Sequence, residues 1–146
     1  MYALSNVTLI NKAVWSSETV LEFMVEGADG GRVTHVELEK EKYKVPTIRL
    51  CEYLNKPVDF LKLDIEGAET EVIKDCQNLL CNVNNLFVEY HSFVDEEQTL
   101  YILLNILHEA GFRVHIHPPV TSPQPFYYRY VNLGMDMQLN IFAFRE

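Results

Sequence analysis

Acidic side chains and a histidine follow two short apolar runs in the middle of the chain. Three carboxylates come directly after one run, and a glutamate and a histidine end the next: Asp64, Glu66, Glu69, Glu89 and His91. Carboxylates can orient a reacting group and offset positive charge, and a histidine exchanges a proton near neutral pH. Residues of these types, brought to one place, predict a site that binds a ligand and moves a proton.

The residues around the first group predict a strand, a tight turn and a helix. The run Val58–Ile65 is short and largely apolar, which is typical of a strand covered on both faces. Gly67 can turn the chain sharply because it has no Cβ to oppose a positive φ. From Glu69 onward, apolar residues recur at helical spacing. Asp64 therefore lies at the carboxyl end of a predicted parallel strand, where open α/β sheets bind ligands.

The second group is predicted to lie at the same edge of the sheet. Leu86–His91 is predicted to be the next parallel strand, and alternation along it puts Glu89 and His91 on one face. Other roles are open for these residues. His91 can hydrogen-bond a loop without any chemical role, and Glu66 and Glu69 can stabilise the helix N-terminus through its dipole.

The remaining patterns complete an α/β arrangement. Further strands are predicted over Val7–Val14, Val20–Glu26, Val33–Glu39, Phe112–His117 and Leu139–Arg145, and helices over Ile48–Leu54 and Thr99–Ala110. The second and third of these strands are expected to form a hairpin through an Asp-Gly-Gly turn. Thr47 is predicted to cap the first helix. Pro118–Gln138 is predicted to be a long loop, whose tyrosines and arginine either form a binding lip or cover a sheet end.

Composition limits the classes of function. A chain of 146 residues with 48% hydrophobic content suits one globular domain over residues 1–146. The net charge of −9 disfavours nucleic-acid binding, which needs a basic surface. We expect a cytoplasmic protein without a membrane partner, since no apolar run approaches the roughly 20 residues of a membrane span and no signal peptide is evident. No metal site is predicted, because the cysteines lack ligand spacing and His115 and His117 are two ligands on one strand.

The central motif is similar to that of a known family. The string KLDIEGAE at 62–69, preceded by Pro57–Phe60, resembles the signature segment of FkbM-type S-adenosylmethionine-dependent methyltransferases. The resemblance extends over roughly residues 5 to 115, through Asn6–Val14, Val45–Ile48 and Leu86–Glu89. It implies a partial Rossmann-like class I methyltransferase sheet, mostly parallel with an antiparallel last strand, and helices on both faces.

The resemblance also implies a cofactor and a class of acceptor. S-adenosylmethionine is the expected cofactor, and a small-molecule or glycan-type acceptor is expected to be methylated on oxygen. Asn11, Ala13 and Asp64 are the implied cofactor-binding residues, with the first two near the adenine.

Asp64, Glu66 and His91 are the candidate catalytic residues. The methyl group of a sulfonium is already electrophilic, so the protein must mainly align an acceptor oxygen and help to remove its proton. Asp64 is expected to orient the acceptor and offset the positive charge of the sulfonium. Glu66 and His91, with Glu89 as a further candidate, are expected to accept the proton.

The sequence departs from the family pattern at its start. Members of the family begin with a strand, a glycine-rich turn that holds the cofactor and a second strand, whereas this chain opens at the third strand. We therefore expect a truncated domain whose cofactor-binding half comes from an upstream segment or a partner. The missing strands would leave one edge of the predicted strand Val58–Ile65 unpaired. We therefore expect either a homodimer or a sheet in which the N-terminal strand moves inward to cover that edge. The alternative function is a non-catalytic binding or assembly domain that retains the back half of the fold.

Overall fold

The computed structural model describes residues 5–25, 31–33 and 42–145, which form two four-stranded sheets and two α-helices. The strands are β1 Ala13–Trp15, β2 Val20–Val25, β3 Gly31–Val33, β4 Lys42–Arg49, β5 Val58–Leu63, β6 Val83–Phe93, β7 Arg113–Val120 and β8 Met135–Phe144. The helices are α1 Glu69–Cys76 and α2 Leu100–Glu109, with short 3-10 helices at Leu50–Tyr53 and Gln77–Asn82. None of the helices in the described ranges is long and apolar enough to cross a membrane.

The first sheet has the strand order β1-β4-β2-β3. β1 runs parallel to β4, and β2 runs antiparallel to both β4 and β3. The predicted pairing of the second and third strands is thus confirmed where the structure describes it. Residues 27–30 of the predicted turn and residues 34–39 of the predicted Val33–Glu39 strand lie outside the described residues, and Gly31 belongs to β3 instead of the turn.

The predicted helix Ile48–Leu54 is wrong, because β4 continues to Arg49 and only a 3-10 turn follows. Thr47 does not cap a helix. Its hydroxyl donates to the carbonyl of Ser17 at 2.7 Å and accepts from the N–H of Thr19, also at 2.7 Å. These bonds tie β4 to the segment before β2, and the stiff β-branched side chains at Thr47 and Ile48 suit a strand.

The predicted strand Val7–Val14 is wrong over most of its length. Only its last two residues belong to β1, which extends to Trp15 instead. Val7 is 51% exposed and Leu9 is 90% exposed, so neither gains the burial that would hold an extended segment against a sheet.

The second sheet has the order β5-β6-β8-β7 and carries the residues of interest. β5 and β6 are parallel, and β8 lies between β6 and β7, antiparallel to both. The predicted strands at Val58–Ile65 and Leu86–His91 and the antiparallel last strand are therefore confirmed. The prediction of mostly parallel sheets is wrong, because β8 returns from β7 through the loop 121–134 rather than through a helical crossover.

Both helices contribute to one core against the same face of the second sheet. Their buried side chains, including Val72, Ile73, Leu103 and Leu107, join the sheet residue Leu86 in a single cluster, and the helices contact each other. The expected second helical layer does not occur within the described residues. On the opposite face several aromatic side chains are exposed: Phe60 at 62%, Phe142 at 43% and Phe144 at 37%.

One edge of β5 is open in the described part of the chain. β5 pairs with β6 on one side, and none of the described strands pairs with its other side. β1 pairs with β4 in the other sheet. The N-terminal strand has therefore not moved beside the central strand, and the homodimer remains a prediction.

Candidate active site

The turn after β5 has the conformation that its sequence predicts. Gly67 has a φ of +101°, and the preceding Glu66 has a φ of +53°, which is unusual for a residue with a side chain. A Cβ on Gly67 would lie 3.0 Å from a ring carbon of Phe93. Glycine is thus required here both by conformation and by space, and the turn delivers the chain directly to the start of α1.

Glu69 is the residue that fixes this turn. It is fully buried, and its Oε1 accepts the backbone N–H of Ile65 at 3.3 Å and of Gly67 at 3.0 Å. The same oxygen lies 3.0 Å from Nδ1 of His91. Glu69 therefore connects the turn to β6, and it also lies in the first turn of α1, the position considered from the sequence for stabilising the helix N-terminus.

The burial of Glu69 had a signal in the sequence. Apolar residues follow it at positions +3, +4 and +7, namely Val72, Ile73 and Cys76. A residue in register with that stripe must face the core. A buried carboxylate needs a partner, which the sequence did not identify.

Glu69 holds His91 through Nδ1, and the other ring nitrogen, Nε2, points toward Glu66 and Glu89. The side chain of His91 is 3% exposed, and Nε2 lies 3.9 Å from both Oε2 of Glu66 and Oε1 of Glu89. An ionised Glu69 can only accept a hydrogen bond, so Nδ1 carries the proton. Burial lowers the pKa of His91. The hydrogen bond and charge of Glu69, with the charges of Glu66 and Glu89, raise it by more, so the pKa of His91 lies above its ordinary value.

Glu66 has the properties of a proton acceptor. Burial raises its pKa; the positive charge of His91 opposes this, and the neighbouring carboxylates Asp64, Glu69 and Glu89 add to it. Its side chain nevertheless remains 37% exposed. A carboxylate whose pKa moves toward neutrality becomes a better general base.

Asp64 lies just beyond β5 and forms an ion pair with Lys62, whose Nζ is 2.7 Å from Oδ2. The hydrogen bond and charge of Asp64 raise the pKa of Lys62. Asp64 and Glu89 each present a carboxylate oxygen and His91 presents a ring nitrogen, and these three atoms lie within 4.8 Å of one another. Nε2 of Gln138 donates to Oε1 of Glu89. No local sequence pattern indicated Gln138, because its position opposite His91 depends on the antiparallel register of β8.

The structure brings together the three candidate catalytic residues but not the other cofactor-binding candidates. Asn11 precedes β1, and Ala13 is the first residue of β1, in the other sheet. His115 and His117 are exposed on β7, separated from β6 by β8.

A cleft of about 110 Å³ opens beside His91, between the starts of the two helices. Gly67, Thr70, Phe93 and Thr99 also line it, whereas Asp64 lies outside its lining. Pockets for drug-sized ligands usually measure about 300–1,000 Å³. The acidic cluster suits the sulfonium of S-adenosylmethionine by charge, but this cleft is too small to hold the whole cofactor.

The loop 121–134 lies at the same end of the sheet as the acidic cluster. It leads into β8, whose Met135 pairs with Phe93 at the carboxyl end of β6. Phe126 is 99% exposed and Tyr127 is 91% exposed. These two rings do not cover a sheet end, which favours the binding lip over the other role considered for this loop.

The chain matches the model of a known protein family. A family model described as the methyltransferase FkbM domain matches residues 3–114. That range includes the turn after β5, Glu69, Glu89 and His91. No curated protein and no solved structure matched the chain.

Proposed function

Because the chain belongs to the FkbM methyltransferase domain family, we propose that it transfers a methyl group from S-adenosylmethionine to an oxygen of a small-molecule or sugar-type acceptor. The observation that carries this proposal is a cluster at one end of the sheet: Asp64 and Glu66 follow β5, and Glu89 and His91 lie in the last part of β6. Ligands of open α/β sheets bind outside the carboxyl ends of such strands.

S-adenosylmethionine supplies a methyl group that its sulfonium makes electrophilic, which leaves acceptor alignment and proton removal to the protein. Asp64 is exposed, so its carboxylate is accessible to an acceptor hydroxyl. Its negative charge, with those of the neighbouring glutamates, also favours a cationic group nearby. Asp64 is therefore the residue that orients the acceptor.

Glu66 accepts the proton of the acceptor hydroxyl in this proposal. Its raised pKa and partial exposure support the role. The positive φ of Glu66 is a further support, because strained backbone is often found at functional sites. His91 and Glu69 hold the cluster in place, with the Nε2 of His91 toward the carboxylate of Glu66.

Asn11 and Ala13 remain the proposed contacts of the adenine. Their support is indirect: β1 contacts α1, and α1 begins at Glu69 within the acidic cluster.

The small volume of the cleft means that further cofactor-binding surface has to come from elsewhere. We propose that a second copy of the chain pairs with the open edge of β5, since an unpaired strand edge readily accepts another strand. Light scattering coupled to size-exclusion chromatography tests this, and a monomeric mass at all concentrations contradicts it.

Transfer of a radiolabelled methyl group to a panel of polyols and sugars tests the activity. We expect labelled product with the wild-type protein. Glu66→Gln should transfer the methyl group about 10²-fold more slowly or slower still, because general-base catalysis typically contributes about 10²–10⁴-fold to the rate. Glu109→Gln, an exposed carboxylate change on α2, is the matched control and should transfer at the wild-type rate. Equal rates for the two variants would contradict the role of Glu66.

A non-catalytic binding or assembly domain is the second candidate. The small cleft beside His91 and the exposed rings of the 121–134 loop favour it, because both suit a contact surface better than a cofactor pocket. Calorimetric titration with S-adenosylmethionine separates the two functions. Micromolar binding by the chain would exclude the non-catalytic domain, and no detectable binding would favour it.

A further inference from the structure

Asp64, Glu89 and His91 have the donor types and the spacing of a metal site. Their donor atoms lie within 4.8 Å of one another, and Nε2 of His91 is 3.9 Å from Oε1 of Glu89. Two ligands bound to one ion at about 2.1 Å are at most about 4.2 Å apart. Small side-chain movements would therefore be enough for all three groups to reach a common ion.

The orientation of His91 is a second and independent observation. The proton-bearing Nδ1 of His91 donates to Oε1 of Glu69 at 3.0 Å. The same oxygen accepts the backbone N–H groups of Ile65 and Gly67, which hold Glu69 in position. Metal-binding histidines usually donate their other ring N–H to a carboxylate in this way. Nε2 of His91, in a side chain that is 97% buried, faces carboxylates at 3.9 Å, beyond hydrogen-bond distance. A cation between these groups would give Nε2 a partner within bonding distance.

The balance of charge around His91 favours a cation. The carboxylates of Asp64, Glu66, Glu69 and Glu89 surround this position. Lys62 lies against Asp64, but its side chain is 55% exposed. An exposed ion pair of this kind contributes little stability, so its ammonium group is readily displaced. Gln138 holds Glu89 from the side of β8.

We propose that Asp64, Glu89 and His91 bind a divalent first-row transition-metal ion such as Mn²⁺ or Zn²⁺. One imidazole and two carboxylates suit such ions, whereas Mg²⁺ and Ca²⁺ prefer oxygen ligands alone. The sequence predicted no metal because the pair it considered, His115 and His117, supplies two ligands on one strand and does not complete a site. In the structure β8 separates that strand from β6. Three protein ligands leave coordination positions open for an acceptor hydroxyl, whose proton the ion makes easier to remove. This role toward the acceptor rests on the proposed methyl transfer, whereas the binding of the ion does not.

Metal binding by the full chain, without S-adenosylmethionine or acceptor, tests the inference. Chelator-treated protein is titrated with MnCl₂, ZnCl₂ or MgCl₂ by calorimetry, and free Mn²⁺ is followed by electron paramagnetic resonance. We expect one Mn²⁺ or Zn²⁺ per chain, with Mg²⁺ bound more weakly. Asp64→Asn and Glu89→Gln should each weaken Mn²⁺ binding by about tenfold or more, because each removes the charge of a ligand.

Asp59→Asn is the matched control, since it removes an exposed carboxylate of β5 that lies outside the proposed ligand set. Circular dichroism confirms that each variant is folded. The inference is overturned if neither Mn²⁺ nor Zn²⁺ binds up to about 1 mM, or if Asp64→Asn and Glu89→Gln bind Mn²⁺ as tightly as Asp59→Asn. Neither result depends on whether the chain transfers a methyl group, so the two proposals can fail separately.

Discussion

The two faces of the β5-β6-β8-β7 sheet both carry large apolar side chains but have different surroundings. Leu86 and Phe87 are consecutive in β6 and point to opposite faces; Leu86 is 1% exposed beneath the helices, and Phe87 is half-buried. The contrast is stronger in β5, where Leu61 packs against the core and Phe60 is 62% exposed. The period of the strands decides which residues share a face. It does not decide what covers that face.

The candidate site lies where the two faces meet at the end of the sheet. Glu69 reaches it from the helix-covered side, while His91 belongs by alternation to the open face with Phe87 and Glu89. His91 is nevertheless buried, with its ring stacked against Phe93 at 6.4 Å between centroids. At this end of the sheet, a turn and a buried carboxylate thus hold a residue of the open face in place.

The largest effect is expected from the covered face. Leu86→Ala should lower the free energy of unfolding by about 2–5 kcal/mol, because it removes buried methyl groups and leaves a cavity among side chains that cannot fully close it. Urea denaturation followed by circular dichroism measures this. A loss below about 1 kcal/mol would mean that the face is less tightly packed than its burial indicates.

A smaller effect is expected at the boundary between the faces. Glu69→Ala removes the acceptor of two backbone N–H groups and of His91, and should cost about 1–3 kcal/mol of unfolding free energy. Glu69→Gln keeps an acceptor oxygen and should cost less. Glu71→Ala, an exposed position on the same helix, is the control and should stay within about 0.5 kcal/mol of the wild type. Equal losses in Glu69→Ala and Glu71→Ala would show that Glu69 does not fix the turn.

The same contact predicts a pH dependence in the metal-free protein. The pKa of His91 is raised above the ordinary value of 6.5, so its protonation adds stability that is fully present below about pH 6.5. That contribution is lost as the pH rises through the pKa of the folded state. Glu69→Gln should lower the pKa of His91, measured from imidazole NMR shifts, and reduce this change in stability. An unchanged His91 pKa would exclude Glu69 as a main cause of the shift.

Local structure around the site could be predicted from the sequence because each step has a local cause. β5, the turn at Gly67, α1, β6 and α2 all follow from apolar period, a glycine at positive φ and a stop signal at Gly111. The same reasoning failed at Thr47, where a good helix-capping residue instead bonds to the distant backbone of Ser17 and Thr19. Contacts between residues so far apart in sequence leave no local pattern.

The candidate site was therefore predictable in part. Asp64, Glu66 and His91 could be placed because strand ends and alternation are local properties. Gln138 could not, because it reaches Glu89 only through the position of β8 between β6 and β7. The covering of the open face could not be predicted either. The family resemblance implied a second helical layer, which does not occur in the described ranges of the chain.

The smallest effect is expected on the open face and tests the comparison most directly. Phe60→Ser replaces a ring that is 62% exposed, so the free energy of unfolding of a monomer should change by no more than about 0.5 kcal/mol. Urea denaturation at several protein concentrations, with the mass from light scattering, measures both stability and association. A loss above about 1 kcal/mol that grows with protein concentration would show that a second copy covers this face in solution. The two faces would then differ only in whether their cover comes from the same chain.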